Sequence, residues 1–207
     1  MKVIPAILEK EWVEIEKKIE LVKPFTDTIH IDIIDGKFAP NTTFLDPAPF
    51  AKYTKDIFFE VHLMVDNPIS YLRPFADAGF KRFLGHVEKM SDQIEFVAEA
   101  ELLGEVALAL DGKTPIDAIK APLTDLEMIL IMTINAGFSG QKFMPELLEK
   151  VKTIRAHSDI PIEVDGGINE KTITSAKKTG ASIFSVNSCI FKSASPQATY
   201  QLLKSAH

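Results

Sequence analysis

Two short stretches combine chemically capable residues with a spacing that aims them together: "HIDIID" at 30–35 and "EVHLMV" at 60–65. A strand alternates its faces with period two, so His30, Asp32 and Ile34 share one face and Ile31 and Ile33 the other. Pointing a histidine and an aspartate inward is costly unless they are paired or bound to something. A third stretch, "IEVDGG" at 162–167, ends an apolar run on Asp165. Two imidazoles, His30 and His62, and two carboxylates, Asp32 and Asp165, suit a divalent metal such as Zn, Fe(II), Mn or Co. The donors come from three separate segments, and the alternative is that each histidine is a satisfied core residue. If His62 and Asp165 face inward, Glu60 and Glu163 do so too, one layer deeper, as carboxylate partners for ligand histidines. Met64 shares the face of His62, where core filling is the usual task of a methionine. Asp35 faces away from Asp32 and fits a turn before Gly36.

Such groups need elements to hold them. Short β-rich runs at 2–8, 28–34, 57–65, 81–87, 105–110, 128–134, 160–165 and 182–186 alternate with amphipathic stretches, among them 11–22, 67–79 and 145–157. Asn67 before Pro68 fits an N-cap followed by proline at the first helical position. Gly79 and Gly180 sit where helices should stop. Strands alternating with helices imply a parallel α/β sheet. Eight such units imply closure into one (β/α)8 TIM barrel over residues 1–207, with a doubly wound open sheet as the rival. Ligands of such barrels bind at the carboxyl ends of the strands, where His30, Asp32, His62 and Asp165 fall. The chain is short for this fold, which implies trim loops and a small substrate.

Bulk properties narrow the function classes. The net charge is −6 and no run of lysines or arginines stands out, so a nucleic-acid surface is not expected. No apolar run approaches a membrane span, and the charged N-terminal segment does not read as a signal peptide. The single cysteine, Cys189, forbids an internal disulfide and suits a reducing cytoplasm. "NTT" at Asn41 matches a glycosylation pattern and is read as chance.

Glycine-rich turns follow the last three strands. "NAGFSGQKF" at 135–143 offers backbone N–H groups to an anion, although an ordinary βα turn has the same composition. "DGGIN" at 165–169 runs into a helix, and Gly166 and Gly167 could hold a phosphate there. "VNS" at 186–188 adds Ser188. Barrels often hold phosphate in the loops after strands seven and eight, which favours a phosphorylated substrate.

Taken together, "HIDIIDGKFAPN", "VHLMVDNP", "MTINAGFSGQKF" and "IEVDGGI" resemble the ribulose-phosphate 3-epimerase family, in order and along nearly the whole chain. The resemblance implies a metal-dependent barrel acting on a ketose phosphate, with one divalent ion held by His30, Asp32, His62 and Asp165. It implies Asp32 and Asp165 as the two acid/base groups, which interconvert D-ribulose 5-phosphate and D-xylulose 5-phosphate through a metal-stabilised enediolate. Substrate- and phosphate-binding positions fall on His62, Met64, Gly137, Phe138, Ser139, Gly140, Gly166, Gly167, Asn187 and Ser188. A cytoplasmic homo-oligomer is implied as well. Four positions depart from the family pattern: Ala6 replaces a serine, Ile34 a methionine, Ala136 a proline and Asn187 a glycine. These departures leave open an epimerase for another sugar phosphate, such as allulose 6-phosphate, or a non-catalytic phosphate or metal binder. A phosphate-binding decarboxylase on a similar barrel would show a D-x-K-x-x-D pattern, and "HIDIID" has no lysine between its aspartates.

Overall fold

Eight parallel strands pair in sequence order and the last closes on the first. They are β1 (Lys2–Ile7), β2 (Thr28–Ile34), β3 (Phe58–Met64), β4 (Arg82–His86), β5 (Glu105–Leu110), β6 (Met128–Met132), β7 (Ile162–Asp165) and β8 (Ile183–Val186). The computed structural model describes residues 1–206. The open doubly wound sheet is thereby excluded, and the expected strands agree with those formed to within a residue or two at their ends.

Among the described residues seven α-helices follow in chain order: α1 (Trp12–Val22), α2 (Ile69–Asp77), α3 (Gln93–Glu101), α4 (Leu148–Arg155), α5 (Thr172–Lys178), α6 (Ser188–Phe191) and α7 (Pro196–Lys204). The connections after β2 and β5 carry only 3-10 turns, at Ala48–Lys52, Ile116–Ala118 and Leu123–Asp125. Pro47, Pro49, Pro115 and Pro122 explain this, because a proline inside a helix lacks the needed N–H and clashes with the preceding turn. The start of α2 also differs from expectation. Pro68, not Asn67, takes the capping position, and Asn67 adopts a left-handed φ of 53° with no side-chain cap. The chain turns sharply there to climb off β3. Gly79 and Gly180 do end their helices at positive φ.

Two cores result from the period-two pleat. Outward-facing Ile29, Ile31, Val61, Phe83, Leu108 and Ile131 pack under the helices and join one continuous apolar layer. Inside the barrel, Leu84, Ala107, Ala109, Met128, Leu130 and Met132 fill the β4–β6 side. The opposite side of the interior is polar, and β2, β3, β7 and β8 build it. Buried Phe59 on β3 anchors that polar side from behind, against Phe50 (ring centroids 5.6 Å) and Phe80 (5.3 Å). Phe59→Ala is expected to cost about 3–5 kcal/mol in urea denaturation, the usual toll of emptying a packed aromatic site.

Candidate active site and metal centre

Cross-strand register assembles the site. β2 and β3 align Asp32 beside His62 and His30 beside Glu60. β7 and β8 align Asp165 beside Ser185. The end of β2 is pinned by buried Thr43, whose Oγ1 donates to the Asp32 carbonyl (3.0 Å) and accepts the Ile34 N–H (2.9 Å). Asp35 turns outward, and its carboxylate accepts the N–H groups of Lys37, Phe38 and Asp66, as a turn residue does.

The four predicted donors converge. His30, Asp32, His62 and Asp165 each offer one ligand atom, all within 4.8 Å of one another. Asp32 Oδ1 lies 2.9 Å from His62 Nδ1 and 3.3 Å from His30 Nε2, and Asp165 Oδ2 lies 3.7 Å from His62 Nδ1. Both imidazoles are fully buried, whereas Asp32 and Asp165 keep 5% and 13% exposure. The carboxylates thus face the cavity and the rings sit beneath them.

A deeper layer supports these groups. His30 Nδ1 is 2.7 Å from Glu60 Oε1, and Glu60 Oε2 accepts from Arg82 Nη1 at 2.6 Å. Arg82 continues to Glu105 through Nε at 2.7 Å, so a Glu60–Arg82–Glu105 ladder crosses three neighbouring strands. Buried Glu163 accepts from the Ser185 hydroxyl, and its other oxygen has no hydrogen-bond partner. Glu60 and Glu163 therefore occupy the inward positions that strand alternation assigns them.

The electrostatics suit a dication among these groups. Burial raises the Asp165 pKa well above the ordinary carboxylate value, and the adjacent Asp32 charge raises it further. Burial acts the same way on Asp32, but the neighbouring His30 and His62 rings outweigh it and hold that carboxyl well below its ordinary value. Burial lowers the His62 pKa to about 4 despite Asp32, which keeps the ring in the neutral form that binds metals. At His30 burial is outweighed by Asp32, then Glu163 and Glu60, and the pKa rises well above the usual histidine value. Carboxylates that draw a proton onto an imidazole would draw a cation between them equally well. The residues fit a divalent ion with two nitrogen and two oxygen donors.

Above the carboxylates lies a cavity. Asp32, Asp165 and Ser185 reach it from the barrel, and Met64, Met132 and Ile134 give it apolar wall. The loop residues Gly137, Phe138, Ser139 and Gly140 line one side, and Gly166, Gly167, Asn187 and Ser188 the other. Of the expected substrate positions only His62 is absent from the wall. Its ring is enclosed between Asp32 and His86, beneath the cavity wall. Gly166 and Gly167 adopt φ of 113° and 68°, and a Cβ on Gly167 would stand 2.8 Å from the Phe143 backbone nitrogen. Only glycine lets that turn lie so close. Asn187, where the family pattern has glycine, has φ −99°, so no left-handed residue is needed there. Asn41 holds the opposite loop, donating to the Gly137 carbonyl at 2.8 Å.

Sequence reasoning missed Arg82, His86, Glu88 and Ser185. A usable signal existed for Arg82, which sits directly opposite Glu60 in the β3–β4 register. Its guanidinium compensates a carboxylate with no exposure of its own. Arg82→Met is expected to destabilise the protein by about 3–5 kcal/mol in urea denaturation, because it strands a buried charge.

Comparison with known proteins follows the geometry. The family model described as "Ribulose-phosphate 3 epimerase family" matches residues 2–191. Ribulose-phosphate 3-epimerase of Schizosaccharomyces pombe is 34% identical, over 99% of this chain and 93% of that protein. The cytoplasmic isoform from Oryza sativa is 35% identical over 98% and 92%, and the Bacillus subtilis enzyme 32% over 92% of each. Among solved structures, KGPDC from Streptococcus mutans superposes with TM-score 0.75 at 13% identity, covering 98% of this chain and 94% of that one. The 3-hexulose-6-phosphate synthase from Salmonella typhimurium gives 0.67 at 16%, covering all of both. At such identities the structural likeness speaks for the barrel alone. With the whole-chain family match and relatives near one-third identity, the chain belongs to the ribulose-phosphate 3-epimerase family, carbohydrate epimerases of the isomerase class.

Proposed function

We propose that this protein interconverts D-ribulose 5-phosphate and D-xylulose 5-phosphate by inverting C3. The observation that carries the reading is a pair of carboxylates, Asp32 and Asp165, from different strands, meeting two buried imidazoles at the mouth of the barrel. The printed activity of the relatives supports the substrate.

Inverting a carbinol carbon beside a ketone requires removing its proton from one face and returning a proton to the other. A single base would return the starting epimer, so two acid/base groups are needed. Asp32 and Asp165 border the same cavity and fill these roles. One aspartate takes the C3 proton, and the other, protonated, donates to the opposite face; reversal exchanges their tasks. A positioned proton transfer contributes typically ~10²–10⁴-fold. A divalent ion held by His30, Asp32, His62 and Asp165 would act as a Lewis acid, offsetting charge that develops on the substrate oxygens. Met64, Met132 and Ile134 exclude water from the reacting carbon. The N–H groups of 137–140, Gly166, Gly167 and Ser188 serve the phosphate, with Asn187 at its edge. The reading takes residues 1–207 as one barrel domain in a cytoplasmic homo-oligomer; the rice relative is named as a cytoplasmic isoform.

A second substrate has a specific observation behind it. Ala6 is buried and offers no hydroxyl, and Asn187 lines the cavity with more bulk than glycine. Allulose 6-phosphate is the competing ketose phosphate.

The test is turnover in deuterated buffer, with protein loaded in turn with zinc, manganese, cobalt and ferrous iron. Ribulose 5-phosphate should yield xylulose 5-phosphate deuterated at C3. Higher kcat/KM on allulose 6-phosphate would transfer the assignment to that substrate, and no exchange on either with any metal would remove it. Asp32→Asn and Asp165→Asn should each lower kcat by ~10²–10⁴-fold, as loss of a positioned acid/base does. Chelation should abolish turnover, and added metal should restore it.

A further inference from the structure

His86 and Glu88 lie outside the four-donor cluster and yet are wired to it. His86 ends β4, is fully buried, and places Nε2 2.9 Å from His62 Nε2. The two ring planes differ by 27°. On its far side, His86 Nδ1 is 2.9 Å from Glu88 Oε2. The other Glu88 oxygen accepts the Asp111 N–H at 2.7 Å, which fixes the carboxylate. Phe38 covers the His86 ring at 4.5 Å between centroids.

Two ring nitrogens at hydrogen-bond distance need one hydrogen between them, and which ring carries it is settled from outside the pair. A carboxylate can only accept, so His86 Nδ1 bears hydrogen. In the neutral tautomer that is its single ring hydrogen, which makes His86 Nε2 the acceptor. His62 Nε2 must then be the donor, which leaves His62 Nδ1 with a bare lone pair. That lone pair points at Asp32 Oδ1 and Asp165 Oδ2, 2.9 and 3.7 Å away. Three electron-rich atoms facing one another repel unless a cation stands among them.

We propose that His86, held by Glu88, is a positioning residue of the metal centre: it accepts the His62 Nε2–H and so presents the His62 Nδ1 lone pair to the ion. The inference rests on the metal reading above, but not on which sugar phosphate is turned over. It pairs with the Arg82–Glu60–His30 arm. Each ligand histidine then has its second nitrogen committed to a partner that is itself anchored. Outer partners of this kind typically contribute about 10–100-fold in metal affinity.

The first experiment is long-range proton–nitrogen correlation on zinc-loaded protein labelled with nitrogen-15, where five histidines keep the spectrum tractable. His62 should appear protonated at Nε2 alone and His86 at Nδ1 alone. A hydrogen on His86 Nε2 overturns the proposal. The second is zinc affinity by chelator competition. His86→Leu should bind about 10–100-fold more weakly, as expected for a lost outer partner. His86→Gln, whose side-chain oxygen can accept, should recover most of that loss. Equal affinity in wild type and His86→Leu, or no rescue by glutamine, overturns it. Should His86→Leu fail to fold, Glu88→Ala replaces it; Glu88 is partly exposed, and the variant should weaken zinc and release the His86 tautomer. Wild-type protein that binds no divalent ion overturns the metal reading and this inference together. Tight wild-type binding that survives these substitutions overturns this inference alone.

Discussion

The structure turns on a charge imbalance inside the barrel. Asp32, Glu60, Glu163 and Asp165 all point into its interior, and Arg82 is the one guanidinium among them. Isolated charges are costly in such surroundings, so the carboxylates must be neutralised in place. Arg82 accounts for Glu60. Glu163 leans toward its protonated form, because burial and the neighbouring Glu60 charge raise its pKa. Asp32 and Asp165 remain, and a dication would match their combined charge. The acidity that would destabilise an unfilled barrel thus suits the site to a divalent ion. The apolar lining of β4–β6 serves the same end, because it keeps the polar side from being solvated by any other means.

Much of this was legible in the sequence. Period-two alternation placed His30 and Asp32 on one face, and the structure forms β2 over the expected 28–34. The same rule carried Glu60 and Glu163 inward. Closure of the barrel was legible because eight strands are punctuated regularly. What escaped was of another kind. His86 occupies the end of an apolar run, "RFLGH", that reads as an ordinary buried strand. Its importance comes from a ring meeting a ring across β3 and β4, and register between strands is a tertiary fact. In that register Leu84, not His86, is the neighbour of His62, so even correct pairing would not have named it. The side chains have to reach diagonally. The misjudged cap at Asn67 failed for a local reason: the residue before a proline is driven from helical geometry, and here it took the left-handed region instead.

The departures from the family pattern spare the four donors. The four donors and their carboxylate supports stand on strands whose backbone is fixed by the barrel's hydrogen bonds. Of the four departures, Asn187 lines the cavity, Ala6 and Ile34 stand on β1 and β2, and Ala136 lies in the loop after β6. Ile34 packs with Ala39 and Met64, beside Leu8, Phe38 and Ala136, in a small apolar cluster. Where the pattern has a more polarisable methionine, this chain has a stiff branched residue. The Asn187 carbonyl accepts the N–H groups of Ile190 and Phe191 and so opens the short α6. Its side chain is thereby held at the cavity edge.

A framework of this kind would admit drift in substrate contacts without losing the proposed proton transfer. Acid/base geometry tolerates little error, because a proton moves between atoms at hydrogen-bond distance. It is therefore set by cross-strand register, which changes only in whole residues and reverses every side chain when it slips. Phosphate recognition tolerates more, since an anion can be met by several backbone N–H groups in loops. The loop over 135–143 is tied to the framework at few points, the Gly137 carbonyl to Asn41 and the Ala136 N–H to Asp111 (3.2 Å). Asp111 in turn donates its own N–H to Glu88, which holds His86. Backbone and side chain thus connect the 135–143 loop to His86 and, through it, to His62. Glu88 is a carboxylate whose pKa is lowered to about 2, burial being outweighed by its bond to His86. An anchor that stays ionised at any ordinary pH keeps the His62 lone pair in place while the loop accommodates its substrate.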